Sequence, residues 1–448
     1  MARAMKDSGV EWIGEIPEGW KVYNIRREFS FGKGLPITKE DLRDSGEPVI
    51  SYGQIHSKIN TGTTIKPALV RYVEGKYLDT HPDSLAHKGD LIVADTSEDV
   101  AGCGNCIYVD TDAPVFAGYH TIILRNKTNH NQRFLSYLFQ TDAWRSQIRK
   151  QVTGVKLYSI SQKILRSTSV IIPQYEEQQR ISGFLDTECA RIDAVIEQTR
   201  ASIEEYKKLK QSVITEAVTK GIRPGRKMKD SGVDWIGDIP EEWIVTKLKY
   251  FSSIRSGVTL GKIYPKDTEL VEYPYLRVAN VQGSYTDLTD VATIFVTEAE
   301  AQKYRLHDGE LLMTEGGDRD KLGRGTVWHA EIDPCLHQNH VFALRTDDRL
   351  LADYVSYLTT SFVGRDYFDV TANQSVHLAS TNSTTIMNFI IPVPSIAEQT
   401  EIISYLNEQT EVIDSLIEKK KSLIIEYETY KKSMIFEYVT GKKEVQNG

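Results

Sequence analysis

Residues 173–221 read PQYEEQQRISGFLDTECARIDAVIEQTRASIEEYKKLKQSVITEAVTKG, and residues 394–442 read PSIAEQTEIISYLNEQTEVIDSLIEKKKSLIIEYETYKKSMIFEYVTGK. Both stretches carry apolar residues at alternating steps of three and four, with Glu, Lys and Gln between them. This spacing predicts two long amphipathic helices, from about residue 175 to 219 and from about residue 396 to 440. Each helix is expected to be roughly 65 Å long.

Each predicted helix has one narrow apolar stripe, which a rod with an otherwise polar surface cannot bury by itself. The stripe residues are Ile181, Leu185, Ile192, Val195, Ile196, Ile203, Tyr206, Leu209 and Val213 in the first helix, and Ile402, Leu406, Ile413, Leu416, Ile417, Ile424, Tyr427, Met434 and Tyr438 in the second. Because the stripes match over their whole length, we expect the helices to pack on each other as a coiled coil. The alternative is a pair of unrelated surface helices.

The duplication extends beyond the helices. Residues 5–14, MKDSGVEWIG, recur at 228–237 as MKDSGVDWIG, and the following IPE segment with Trp20 recurs with Trp243. A tandem duplication explains this pattern, and its period is far too long for a solenoid repeat. The predicted segments are a first domain at 1–173, a first long helix at 174–221, a linker and second domain at 222–393, and a second long helix and tail at 394–448.

Each domain has the pattern of a mixed α/β fold. Short β-branched runs predict strands at residues 90–94 and 121–124 in the first copy and at 310–314 and 341–344 in the second. Helical spacing predicts one further helix in each copy, at about 133–151 and 350–368. The expected fold class is therefore α/β, with two similar domains joined by two long coiled-coil helices.

The composition is that of an ordinary globular protein. Charged residues make up 26% of the 448 residues, and the net charge is −8. Residues 1–172 contain 22 Lys and Arg against 19 Asp and Glu, whereas residues 228–393 contain 15 against 24. The absence of a long apolar run or a secretion signal predicts a cytoplasmic protein without membrane contact. Four cysteines do not make a disulfide framework in a chain of this length.

Motifs for catalysis are absent from the sequence. It has no Pro-Pro pair, so it lacks the Asn/Asp-Pro-Pro-aromatic motif of enzymes that methylate DNA bases, and it has no phosphate-binding GxxxxGK[ST] loop. Cys103 and Cys106 form a single CxxC, which alone does not predict a zinc site. His120 and His340 occupy matching places, and we favour a structural hydrogen-bonding role over a catalytic base. The nearby acidic residues show no shared carboxylate arrangement, so metal-dependent hydrolysis is not predicted; they are Asp95, Glu98 and Asp99 in the first copy and Glu315, Asp318 and Asp320 in the second.

Polar side chains near predicted strand ends and in one glycine-rich loop are candidate nucleic-acid contacts. Arg and Lys suit phosphates and guanine edges, while Asn and Gln suit adenine edges. The candidates are Lys33, Gln54, His56, Lys58, Thr96, Ser97, Asn105, His120 and Lys156 in the first copy, and Arg255, Arg277, Asn280, Gln282, Arg319, Lys321, Arg324, His340, Asn373 and Gln374 in the second. The alternative for each is a merely solvated polar loop.

The duplicated starts KDSGVEWIGEIPEGW and KDSGVDWIGDIPEEW, together with the PQYEEQ and PSIAEQ segments, resemble type I restriction-modification specificity subunits. The resemblance covers nearly the whole chain. It implies two target recognition domains, each reading one half of an asymmetric bipartite double-stranded DNA target. It also implies that the helices pack antiparallel with an internal pseudo-two-fold, and that they space the half-sites by roughly one helical turn, about 34 Å.

The same resemblance implies that catalysis belongs to partner proteins. Two methyltransferase subunits would methylate adenine N6 after base flipping, and two restriction subunits would translocate and cleave DNA. No cofactor is expected in this chain, since S-adenosylmethionine, Mg²⁺ and ATP would be bound by those partners. The alternative is a stand-alone DNA-acting nuclease with an unrecognised site.

Overall fold

The computed structural model describes residues 3–154, 156–283, 285–317, 322–374 and 379–445. The chain forms two compact units, Met1–Gln198 with Ser422–Gly448, and Thr199–Lys421. Each unit contains one mixed α/β domain and a part of both long helices, so the expected fold class is confirmed. None of the described helices is long and apolar enough to cross a membrane.

The two long helices span Tyr175–Lys220 and Ile396–Val439. Both agree with the bounds predicted from the apolar spacing to within one residue. Most predicted stripe residues are buried, including Ile181, Leu185 and Ile402. Leu209 was predicted wrongly, because its side chain is 48% exposed.

Within each unit the helix segments run antiparallel. In the first unit, Phe184 stacks on Tyr438 with ring centroids 4.5 Å apart. Nine residues further along the first helix, Asp193 binds Lys431 at 2.6 Å, so numbers rise on one helix as they fall on the other. The second unit repeats this ion pair between Asp414 and Lys210, also at 2.6 Å. The predicted helix pairing is therefore present in both units.

The first domain is built on an antiparallel central sheet. Its strands, in spatial order, are Cys106–Tyr108, Leu91–Ala94, Thr121–Asn126 and Phe29–Lys33. The outer sheet has the order Arg71–Val73, Glu47–Ile50, Val115–Ala117 and Leu85–Ala86, with its middle pair parallel. Two-stranded pairs are Met5–Asp7 with Glu15–Pro17, Lys21–Asn24 with Ser169–Ile172, and Thr96–Ser97 with Tyr158–Ser159.

The second domain repeats this plan with a smaller outer sheet. Its central sheet has the order Ser252–Ser256, Val341–Thr346, Leu311–Thr314 and Gly325–Val327, and its outer sheet has Ala292–Val296, Val271–Leu276 and Leu336–His337. The smaller groups are Met228–Asp230 with Asp238–Pro240, Ile244–Lys247 with Ile390–Val393, and Gly316–Gly317 with Ala379–Ser380 and Asn373–Gln374. The four predicted strands of the two domains are all present.

The single helix predicted after the central sheet is two helices in each domain. These are Gln132–Gln140 and Asp142–Arg149, and Ala352–Thr360 and Phe362–Val370. The break falls at Thr141 and at Ser361, each in an extended conformation. Their hydroxyl groups accept hydrogen bonds from the backbone N–H groups of Trp144 and Gly364, which start a second helix.

Shorter helical turns complete the domains. The first domain contains Ile25–Glu28, Lys39–Asp41, Tyr52–Ile55, Pro67–Leu69, Tyr77–Thr80, Pro82–Ser84 and Gln162–Arg166. The second contains Leu248–Tyr250, Val278–Asn280, Glu298–Tyr304 and Ser383–Met387.

The repeated Glu-Gln pair at the start of each long helix fastens that helix to its domain. In the first unit, Glu177 accepts from the indole N–H of Trp20 at 2.9 Å and binds Arg3 at 2.7 Å. Gln178 accepts from the backbone N–H of Asn131 at 2.7 Å, just where the domain's helix begins. The motif is therefore a structural joint between helix and domain.

The second unit repeats this joint. Glu398 accepts from the indole N–H of Trp243 at 3.0 Å and forms an ion pair with Arg226. Gln399 accepts from the backbone N–H of Leu351 at 2.8 Å. The Glu398 carboxylate raises the pKa of Arg226. Arg226 lies in the predicted linker, and its side chain is 11% exposed, so this linker is anchored to the second unit.

A glycine ends each long helix against a tryptophan. Gly221 and Gly441 have φ of 72° and 73°, a left-handed conformation that favours glycine. A Cβ at Gly221 would lie 3.2 Å from the Trp243 ring, and a Cβ at Gly441 would lie 3.2 Å from the Trp20 ring. The end of the second long helix thus packs in the first domain's core, which also contains Met434.

We predict that Glu398→Ala strongly destabilises the second unit. The substitution leaves the Trp243 N–H without its acceptor and the nearly buried Arg226 guanidinium with only its Glu242 partner, which lowers the free energy of unfolding by about 3 kcal/mol. Calorimetry of the full chain would detect a lower melting temperature of one transition.

Glu401→Ala is the matched control. Glu401 pairs with Arg223 at 2.7 Å, and both side chains are about half exposed, at 47% and 55%. Loss of this exposed ion pair should change the melting temperature little, because water and salt screen it. Equal destabilisation by the two substitutions would contradict a structural joint at Glu398.

Candidate nucleic-acid interface

In the first domain, several candidate residues lie together where the strands of the central sheet end, around Lys33, Ala94, Asn105 and Thr121. We call this end of the sheet the loop edge. The register pairs Lys33 with Ile122 and Thr121 with Ala94. The backbone N–H of Ala94 donates to the carbonyl of Asn105 at 3.1 Å. Residues that adjoin these strand ends therefore lie together although they are far apart in sequence.

The second domain has the same loop edge. Ser256 pairs with Phe342, and Val341 pairs with Thr314. Arg324 directly precedes the strand Gly325–Val327, as Asn105 directly precedes the corresponding strand Cys106–Tyr108 in the first domain. The two central sheets thus present different side chains at matching positions.

Both loop edges contain a histidine bound to a carboxylate. Nδ1 of His120 lies 3.2 Å from Oδ1 of Asp95, and Nδ1 of His340 lies 2.5 Å from Oε2 of Glu315. The imidazoles are 57% and 53% exposed. The sequence predicts no shared carboxylate arrangement, and for this pair that prediction is wrong. The pairing spans a strand and a loop, so sequence spacing alone does not reveal it.

A chain of hydrogen bonds orients the polar groups of the first loop edge. His56 Nε2 lies 2.8 Å from the Thr96 carbonyl, and its Nδ1 lies 3.1 Å from Asn105 Nδ2. The first contact requires a proton on Nε2, so Nδ1 accepts from the amide. Arg145 donates to Asn105 Oδ1 at 2.7 Å, and burial lowers the pKa of this guanidinium. These contacts hold His56 and Asn105 in fixed orientations.

Aromatic rings that are not among the predicted contact residues flank this chain of hydrogen bonds. Tyr52 packs edge-on against both Tyr119 and His120, with centroids 5.5 Å apart in each case. Burial raises the pKa of the Tyr119 hydroxyl. The signal in the sequence is an aromatic residue close to His56, in YGQIH, and to His120, in GYH.

The variable loop after each carboxylate ends in a matching glycine turn. Gly104 and Gly323 have φ of 90° and 69°, and a Cβ at either position would press on the domain's second short helix, at Ile148 or at Phe368. The loop is therefore fixed at one end by the His-carboxylate pair and at the other by this turn. Between these two points the copies differ in sequence, with DTSEDVAGCG at residues 95–104 and EGGDRDKLG at residues 315–323.

Other candidates in the first domain divide into structural and exposed groups. Gln54 caps its own turn by accepting from the Ser51 N–H at 3.0 Å. Ser97 is 1% exposed and donates to the Asp99 carbonyl at 2.7 Å. The three lysines among the candidates are exposed, namely Lys33, Lys58 and Lys156.

Three candidates in the second domain are used in internal contacts. Arg255 donates to Glu310 at 2.6 Å, and burial lowers its pKa. Asn280 is 3% exposed and caps its turn through the Arg277 N–H at 2.8 Å, as Gln54 does in the first domain. Arg277 itself binds Asp290 at 2.8 Å. We assign these three residues structural roles.

The remaining candidates of the second domain are only partly described by the structure. Gln282 is half-buried and donates to the Ala279 carbonyl at 2.8 Å. Its neighbour Gly283 faces the Arg324 side chain, which a Cβ would approach to 3.3 Å. The candidates Arg319 and Lys321, and the side chains of Asn373 and Gln374, lie outside the described residues.

The second unit also has a cleft of about 1630 Å³ between its domain and its helix segments. Arg324, Asp353 and Asn407 are among its lining residues. In the first unit the place that corresponds to Asp353 is filled by Arg133, whose Nε lies 2.7 Å from Asp186. The duplicated domains therefore differ beside the loop edge as well as within it.

The cysteines have the environment of core residues. Cys103, Cys106, Cys189 and Cys335 are all buried and free of disulfides, and burial raises the pKa of each thiol. Among the described residues, no three His, Cys, Asp or Glu side chains are grouped so as to hold a metal ion.

Comparison with known proteins places these features in one family. A sequence profile of the type I restriction modification DNA specificity domain matches residues 17–205 and again residues 240–426. The type I restriction enzyme EcoKI specificity subunit of Escherichia coli K12 is 21% identical over 401 residues, which cover 87% of this chain and 82% of that protein. The putative MjaX specificity subunit of Methanocaldococcus jannaschii is 26% identical over 184 residues, only 40% of this chain and 42% of that protein.

A structural comparison agrees. A solved chain from work on complex assembly and conformational transition of the type I R-M system superposes with a TM-score of 0.68. It is 16% identical, and the alignment covers 96% of this chain and 99% of that one, which shows a shared fold. The alternative of a stand-alone nuclease finds no support in these comparisons. Since the two profile matches cover most of the sequence, the chain belongs to the type I restriction-modification specificity-subunit family.

Proposed function

We propose that each domain recognises one half of a bipartite double-stranded DNA target through its loop edge. The observation that carries this proposal is the pair of matching frames with different side chains, in which Asn105 of the first domain corresponds to Arg324 of the second. Asn suits adenine edges and Arg suits guanine edges in the major groove. The two half-sites should therefore differ in sequence.

This chain acts by recognition, and partner subunits perform the chemistry. We infer two methyltransferase subunits, which bind S-adenosylmethionine and methylate adenine N6, and two restriction subunits, which use Mg²⁺ and ATP. The lack of Pro-Pro and GxxxxGK[ST] motifs in the sequence supports this division. The acidic second domain does not favour DNA binding by this chain alone, and partners can supply the positive charge that phosphate binding needs.

The first prediction separates recognition from catalysis. The purified chain with S-adenosylmethionine and DNA should transfer no methyl group, because it lacks the motifs for that reaction. Addition of the methyltransferase subunits from the same host should produce N6-methyladenine, detected by mass spectrometry of digested DNA. Methylation or cleavage by the chain alone would refute the proposed role.

The second prediction concerns the two half-sites. Arg324→Ala should relax base preference in one half of the methylated motif, since a bidentate base contact contributes about 1–3 kcal/mol of discrimination. Asn105→Ala should relax the other half only. Single-molecule sequencing of DNA from cells that carry each variant gives the motif. Changes in both halves from one substitution would argue against modular reading.

The third prediction concerns the spacing of the half-sites. Seven residues inserted after Gln198 and seven after Lys421 keep the apolar stripes in phase and lengthen each helix by about 10 Å. The unspecified gap in the methylated motif should widen, by about three base pairs at 3.4 Å each. Insertion in one helix alone is the control and should abolish activity, because it breaks the pairing register. An unchanged gap after the double insertion would count against a ruler.

A further inference from the structure

We propose that His120 and His340 bind backbone phosphates of the two half-sites, with Asp95 and Glu315 as positioning residues. This inference rests on the function proposed above and divides the loop edge into two kinds of contact. One kind is common to both domains and independent of sequence. The other kind differs between the domains and reads bases.

The two His-carboxylate pairs make the same contacts in both domains, although His120 has a left-handed backbone, with φ of 55°, and His340 does not. Besides the contact at Nδ1, the backbone N–H of Asp95 donates to the His120 carbonyl at 3.1 Å, and that of Glu315 donates to the His340 carbonyl at 2.9 Å. Each histidine directly precedes the central strand that begins at Thr121 or at Val341. Backbone and side chain together fix each imidazole at the same place on its sheet.

The surroundings of the two pairs differ. His120 adjoins Tyr52 and Tyr119, whereas Nε2 of His340 lies 3.5 Å from the Asn339 amide group. The following loops begin Asp95-Thr-Ser in one copy and Glu315-Gly-Gly in the other. A group that is identical where its neighbours differ cannot distinguish two different half-sites. It can bind what every half-site shares, which is the sugar-phosphate backbone.

The chemistry of the pair suits an anion. A carboxylate at Nδ1 orients the ring, and an imidazolium ring can donate from both of its nitrogens. A phosphate at Nε2 and the carboxylate at Nδ1 then both stabilise the charged ring. The Asn339 amide can donate to the same phosphate in the second domain. The exposed fractions of 57% and 53% leave each ring accessible to DNA.

The chain provides its own matched controls. His87 and His307 are also exposed and also stand in matching places, at the opposite end of the strands that begin at Leu91 and at Leu311. Their backbone N–H groups, not their rings, bind the next carboxylates, at 2.9 Å in both cases. They share residue type and exposure with the proposed contacts but lie at the far end of the sheet.

The test measures how DNA affinity depends on salt. The full chain, assembled with its methyltransferase subunits, is titrated by fluorescence anisotropy against a duplex that carries its methylation motif and against a scrambled duplex, over a range of KCl. His120→Ala and His340→Ala should each weaken binding to both duplexes on the order of tenfold. Each should also reduce the slope of log affinity against log salt by about 0.9, the value for one phosphate contact.

Further variants separate a phosphate contact from other roles. His120→Gln keeps the size of a polar side chain but not its charge, so it should show the same loss of slope. Asp95→Asn should lower affinity and slope less than His120→Ala does, since it removes only the orienting charge. His87→Ala and His307→Ala should match the wild type. The methylated motif should stay unchanged in all these variants.

Several results would overturn the inference. An unchanged salt slope in the His120 and His340 variants, with or without a lower melting temperature, would show a structural role. A changed base in one half-site would show that the histidine reads sequence. Both results leave the proposed function intact if the wild type still prefers its motif. A wild-type complex that binds the motif and scrambled duplexes equally would overturn the proposed function, and this inference with it.

Discussion

The structure depends on a carboxylate and an amide at the start of each long helix. Glu177 and Glu398 each accept from a tryptophan N–H and pair with an arginine. The adjacent Gln178 and Gln399 accept from the backbone N–H groups that precede the helices Gln132–Gln140 and Ala352–Thr360. These groups are nearly buried, so their bonds form in a medium of low dielectric constant and are costly to break. They fix the direction in which each helix leaves its domain.

A second constraint comes from the helix pair. Each long helix contributes only one narrow apolar stripe, which is buried by the antiparallel partner segment in the same unit and, near Ile181 and Ile402, by the domain. The Asp193–Lys431 and Lys210–Asp414 ion pairs repeat this register in both units. Joint and helix pair therefore form a constant frame. The side chains at the loop edge are not part of this frame, and they differ between the two domains.

Features set by local periodicity could be predicted from the sequence, and features set by distant partners could not. The long helices were predicted to within one residue because a step of three and four repeats over more than forty positions. The break at Thr141 was missed because a hydroxyl cap competes with continued helix spacing, and the apolar residues on both sides still fit one helix.

The candidate site shows the same division. Polar residues near strand ends were selected by type, but Gln54 and Asn280 cap their own turns, and Arg255 binds a glutamate 55 residues away. The His-carboxylate pairs join residues 25 apart across a strand, which no short motif reveals. Whether the remaining candidates contact DNA stays a prediction.

The packing of Gly441 and Met434 into the first domain has a consequence for biosynthesis. The core around Trp20 needs residues that the ribosome adds more than four hundred positions later, so this domain cannot be completed while translation proceeds through the rest of the chain. Residues 199–421 are contiguous and contain every element of the second unit. The second unit can therefore fold as soon as residue 421 has been synthesised. The core of the first domain is completed only after that, when the end of the second long helix has been added.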